Sequence, residues 1–194
     1  MGSLREQLAA ALPEHKHKLL FYKCGGTRPP DNTLSVKDSL EKFCKELLPQ
    51  CPISAPRGKK IQIVKRNFPK FAGLEHLTLT REELSAAEIV KSIEDGTFDL
   101  GQYKGDRDDR LRTLFWIPEV LSEPDAIYPN AHKIVAGNEV YVRVYNKMGS
   151  RVKLVFTMDI ARDGNVIRTV PITSFLTDAD TALSYVAGQP LYQK

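Results

Sequence analysis

The sequence predicts an α+β fold, with N-terminal helices followed by a four-stranded antiparallel sheet. Two observations predict it. Up to about residue 127, apolar residues recur mainly at helical spacing. After Pro129, four segments alternate apolar and polar residues, joined by hairpin-length connections that each contain Gly. Helical patterns first and a meander second is the order of an α+β domain. With 194 residues and 42% hydrophobic content, the chain can bury a core without staples.

Leu4 to Leu12 fits a short helix stopped near Pro13. "FYKCGGTRPPDNT" is a run of turn residues. Ser35 opens a second helix, with Asp38 three residues on. Val36, Leu40, Phe43, Leu47 and Leu48 give it one apolar stripe. "PQCPISAPRGKK" breaks the pattern, and a soft boundary falls there. Residues 1–56 form an N-terminal helical extension and 57–194 the main domain. Ile61 to Val64 reads as a short strand. "LTREELSAAEIVKSIEDG" is the strongest helix, capped by Thr80 with Glu83 three later and ended by Gly96. "DRDDRLRTLFWIPEVLSEPDAI" reads as a further helix that Pro118 kinks or divides, with Leu111, Leu114 and Phe115 inward. The four strands are His132–Val135, Glu139–Tyr145, Val152–Asp159 and Val166–Phe175. Pro171, lacking an amide proton, implies an edge, a bulge or a strand start.

Composition excludes several classes. Cys24, Cys44 and Cys51 are odd in number and form no CxxC pair, so neither a disulfide framework nor a four-cysteine zinc site is expected. No apolar run reaches the roughly 20 residues that span a bilayer, and the N-terminus lacks the order of a secretory signal. Nucleotide-loop and nucleophile-elbow motifs are absent, and the acids form no metal cluster. No cofactor is expected. The net charge of +4 permits an anionic partner without demanding one.

Side chains alternate along a strand, so Tyr141, Arg143 and Tyr145 share one face and Val140, Val142 and Val144 the other. The next strand repeats the division, with Arg151 and Lys153 on the polar side. That face reads either as a solvated surface or as an anion site, where cations meet phosphate and tyrosines stack on bases. From Lys133 to Arg168, seven basic residues stand against three acids, which favours the anion site. "PRGKKIQIVKRNFPK" adds Arg57, Lys59, Lys60, Lys65, Arg66 and Lys70 with no acid. Thr173 and Ser174, after Pro171, are strand-end hydroxyls that a bulge can re-aim. His76 and His132 are candidate general acids or bases, with a structural role as the alternative.

The order "IQIVKRNFPKFAGL", "SIEDGTFDL", "RLRTLFWIPEVLSEPDAIYPN", "EVYVRVY" and "KLVFTMDIARDGNVIRTVPITSF" resembles the phage-associated nucleases of the barnase, EndoU, colicin and RelE-like superfamily, over roughly Lys59 to Asp178. The resemblance implies metal-independent RNA cleavage by a toxin or phage-borne effector, acting in the cytoplasm or delivered into a target cell. It also implies RNA as partner, and an antitoxin or immunity protein as a second one. Carried over residue by residue, it implies Lys70, Arg143, Thr173 and Ser174 as site residues. Lys70 stands where related sequences have His, which leaves the base to Lys70 or His76. In this scheme Arg143, Lys153 and Arg168 stabilise phosphate. Tyr141 or Tyr145 stacks or donates a proton, and Lys65, Arg66 and Arg151 contact the RNA backbone. The alternatives are a non-catalytic RNA- or protein-binding module on the same scaffold, and a different enzyme such as an ADP-ribosyl transferase.

Overall fold

A computed structural model describes residues 36–47, 53–63, 67–72, 91, 94–95, 110–111, 113–132, 137–145 and 151–194. Its centre is one curled, seven-stranded mixed sheet, a half-barrel. The strands are β1 (Ile53–Ala55), β2 (Lys59–Ile61), β3 (Ala126–Pro129), β4 (Glu139–Tyr145), β5 (Arg151–Asp163), β6 (Val166–Asp178) and β7 (Tyr192–Gln193), in the spatial order β1-β2-β6-β5-β4-β3-β7. All neighbours pair antiparallel except β2 and β6, which run parallel.

This corrects the predicted architecture of N-terminal helices and a four-stranded antiparallel sheet. The three extra strands are β1, β2 and β7, two or three residues each; β2 ends where the predicted short strand Ile61–Val64 begins, and β1 and β7 are too short to show alternation. Of the first predicted strand, His132–Val135, residues 133–135 lie outside the described residues. The predicted helix ran through "DAI", but Ala126 and Ile127 open β3, and His132 lies outside any strand. The reason is pairing: Ala126 to Pro129 lie in register with Val142 to Glu139. A ladder outweighs weak local preference in so short a segment.

Four short α-helices occur among the described residues: α1 (Val36–Lys42), α2 (Phe68–Ala72), α3 (Trp116–Ser122) and α4 (Ala179–Leu183). The last follows β6 instead of preceding the sheet. A π-helical turn, Phe43–Leu47, continues α1. Pro118 is the third residue of α3, within the first turn, where its missing N–H costs no intrahelical bond. The predicted helix from Thr80 to Gly96 lies almost wholly outside the described residues. No helix among the described residues is long and apolar enough to cross a membrane.

Both faces of the sheet are covered. On one, Val142, Val144, Val152, Leu154 and Phe156 pack with Ala182, Leu183 and Val186 after β6. On the other, Ile61, Ile127, Tyr141 and Val155 pack with Leu40 and Phe43 of the first helical segment and with Ile117, Val120 and Leu121 of α3. Every residue of β4 is therefore buried. Each of its valines contributes roughly 1.5–3 kcal/mol by leaving water.

Candidate functional site

The face that collects Tyr141, Arg143, Tyr145 and Lys153 lies beneath α3. Arg143 is buried; its guanidinium pairs with the Glu119 carboxylate at 2.9 Å and donates to the Glu123 carbonyl. Lys153, directly opposite Arg143 across the β4–β5 ladder, is also buried and donates to Thr113 Oγ1 at 2.9 Å. Two like charges side by side would repel, and each is instead turned to its own oxygen. The Tyr145 ring lies 4.6 Å from the Trp116 ring, and burial, then Glu119, pushes its phenol well above the ordinary range. These residues join the sheet to α3 and the turn before it.

The other predicted residues are dispersed. Lys70 is exposed on α2, and Arg168 is exposed on β6 beside Lys60 of β2. Arg151 is half-buried where β5 begins, opposite Tyr145 and Asp178. Ser174 pairs with Val155 and Thr173 with Phe156, so the two hydroxyls point to opposite faces. Lys65, Arg66 and His76 lie outside the described residues.

What the fold does bring together is a charged cluster at the far end of the same face. Lys59 Nζ, with no exposed side-chain surface, donates to Glu139 Oε2 at 2.5 Å and to Asp159 Oδ1 at 2.8 Å. Arg57 Nη1 donates to the other Glu139 oxygen at 2.9 Å. Thr169 Oγ1 donates to Asp159 Oδ1 at 2.9 Å. Two cations meet two carboxylates, and the formal charge is zero. The cluster opens to solvent through Arg57 and Asp159, whose side chains keep 33% and 34% of their exposure.

Local structure explains each position. Lys59 and Ile61 alternate inward along β2 while Lys60 points out. Arg57 and Gly58 form the β1–β2 turn with φ of 66° and 68°. Gly58 suits that backbone, and a Cβ there would also meet the Asn165 carbonyl at 3.1 Å. Arg57 does not; it is the one non-glycine residue with positive φ among the described residues. Such strain persists where surrounding contacts over-determine it, often at sites. Glu139 opens β4 opposite Thr157. A register shift then pairs Thr157 with Pro171 and leaves Ile172 as the extra residue, a bulge, one of the three readings Pro171 allowed.

On this face the buried hydroxyls of Tyr141, Thr157 and Ser174 have no hydrogen-bond partner. Burial first, then the Glu139 charge, pushes the Tyr141 phenol well above its ordinary range. It therefore stays a proton donor. Among the described residues no group of three or more His, Cys, Asp or Glu could hold a metal ion. Glu139 and Asp159 both turn an oxygen to the Lys59 ammonium.

The sequence reading named Arg57 and Lys59 only as members of a basic run, and Glu139 and Asp159 only as the minority acids. One signal was available. The alternation in "KKIQI" places one lysine with the inward isoleucines, and a lysine on an inward face requires an acid. Comparison with protein-family models, with curated proteins and with solved structures finds no match to this chain.

Proposed function

We propose that the chain cleaves RNA without a metal ion, through attack of the ribose 2′-hydroxyl on the adjacent phosphorus, with the Arg57–Lys59–Glu139–Asp159 cluster as its centre. RNA supplies the nucleophile, so the protein needs a base, an acid and cations for the charge that builds on the phosphorane. Glu139 takes the 2′-hydroxyl proton as the O2′–P bond forms. Arg57, the more exposed cation, receives the phosphate. The departing 5′-oxygen takes a proton from a general acid, for which His76 is the candidate. The observation that carries this reading is the Glu139 carboxylate held between Lys59 and Arg57 at an opening to solvent.

The test is cleavage of a defined RNA with and without EDTA, scored for 2′,3′-cyclic phosphate ends. Glu139→Gln keeps the shape and removes the base, and is expected to slow cleavage by about 10²–10⁴-fold with little change in RNA affinity. Unchanged cleavage by this variant, or products without cyclic ends, rejects the scheme.

One observation favours a non-catalytic RNA- or protein-binding module. Both Glu139 oxygens are already engaged by Arg57 and Lys59, as in a purely structural ion network. That reading expects salt-dependent RNA binding, with log Kd linear in log salt, and no cleavage products.

A further inference from the structure

The β5–β6 hairpin runs past the start of β4. Thr157 is the last β5 residue paired to β4; beyond it Met158, Asp159, Ala161, Arg162 and Asp163 pair only with β6 among the described residues, Ile160 is the extra residue of the second register shift, and all six are exposed. Among the described residues, one side of β5 is thus an open edge over these six residues. Met158, 37% exposed, and Ile160, 46% exposed, lie on it and are two of the three exposed large apolar side chains among the described residues. An unpaired edge carrying apolar side chains is a template for another strand.

We propose that this edge pairs antiparallel with the same edge of a second copy of the chain. The stretch reads Met-Asp-Ile-Ala-Arg-Asp. A two-fold axis between Ile160 and Ala161 sets Asp159 of each copy opposite Arg162 of the other. Complementarity also requires both side chains on one face, because a two-fold axis perpendicular to a sheet preserves its faces. In a regular strand, residues three apart point to opposite sides. Here the second register shift, between Asp159 and Ala161, removes that mismatch. Asp159 lies opposite Thr169 and bonds Lys59, while Arg162 lies opposite Ile167, which also pairs with Lys59. Asp159, Arg162 and Lys59 therefore share a face.

Charges and a bulge on an edge ordinarily repel a foreign strand. These charges are placed so that the same edge of a second copy satisfies them twice, in the isologous pattern of a two-fold dimer. The pairing also alters the charged cluster, because Arg162 of the second copy arrives at Asp159, where the cluster opens. Moving the axis by half a residue, onto Ala161, sets Asp159 against Asp163, so the register is specified by charge. A six-residue edge is small for a permanent interface, and the association is of the transient, concentration-dependent class. It is independent of whether the chain cleaves RNA.

Sedimentation velocity from about 1 µM to about 1 mM brackets an interface of this size. The chain is expected to pass from monomer to dimer across that range. Arg162→Asp sets acid against acid in both pairs and is expected to weaken association about 100-fold, tenfold for each mismatched pair. Arg162→Lys is expected to retain most of it. Arg162 is exposed, so both variants should melt like the parent. A parent that stays monomeric throughout, or an Arg162→Asp variant that associates like the parent, overturns the proposal.

Discussion

A lysine ammonium with no exposed surface is stable only while its carboxylates stay. Lys59 has two, Glu139 and Asp159, and Glu139 is the more buried. Removing one member of a buried pair leaves an uncompensated charge, at a cost of about 3–5 kcal/mol. Glu139→Ala is therefore expected to lower stability by about that much, and the melting temperature by roughly 2–4 °C per kcal/mol for a chain of this size. Glu139→Gln, which keeps an acceptor for Lys59, should cost less. Urea denaturation of both variants checks the order, and a Glu139→Ala cost below about 1 kcal/mol, the worth of an exposed pair, refutes the account. At this scale the sequence was partly legible. Alternation correctly told that Tyr141, Arg143 and Tyr145 share a face with Lys153. It could not tell what covers that face, because the covering residues of α3 lie some 20 positions earlier. Arg143 meets Glu119 and the Glu123 carbonyl only through the fold.

The elements read best were those long enough to repeat their pattern. The seven-residue β4 and the 13-residue β5 and β6 all appear, the last two longer than predicted. The helix from Ser35 corresponds to α1 and the π-helical turn after it. The short β1, β2, β3 and β7 were not legible as a set, because two to four residues carry too few alternations and their ladders are made with distant partners. Helix α4 was missed for a related reason, although its cap is written in the sequence. Asp178 accepts from the Thr181 amide at 2.7 Å and from the Thr181 hydroxyl at 3.0 Å. The amide bond chiefly holds the Asp178 carboxyl below its ordinary value. Asp178→Ala is expected to cost about 1 kcal/mol near neutral pH. The folded pKa is depressed, so this contribution is present above the unfolded value of about 3.9. It is lost as pH falls through the lower folded value. Parent and variant melting curves should differ at pH 7 and converge in strong acid; a difference independent of pH would mean that the cap does not act through its charge.

For the whole molecule, the question is whether residues before the predicted boundary at 56/57 belong to the same cooperative unit. Leu40, Phe43 and Cys44 are fully buried in the cluster that also holds Ile61, Ile117 and Tyr141. Strand β1 closes the sheet beyond β2, pairing Ile53 with Ile61. A chain starting at residue 57 would lose both. Uncovering that face forfeits roughly 1.5–3 kcal/mol for each large apolar residue removed, against a typical total stability of about 5–15 kcal/mol. It would also expose β2 as an edge, beside the turn that holds Arg57. Residues 57–194 alone are therefore expected to lose cooperative folding, seen as a broad, shallow thermal transition and poorly dispersed amide resonances. Loss of the fold should abolish the ion cluster too, because Lys59 is aligned by the β1–β2 pairing on one side and by β6 on the other. Cys44 offers a second readout in the intact chain carrying Cys24→Ser and Cys51→Ser. Burial, aided by the nearby Glu41 charge, pushes its thiol up to about 12, so it should react with a thiol reagent only through opening of the core. If it reacts at the rate of global unfolding, the first helical segment shares the fate of the sheet. If it reacts far faster while the sheet stays protected, that segment is a separate, weaker unit and a chain starting at residue 57 should fold.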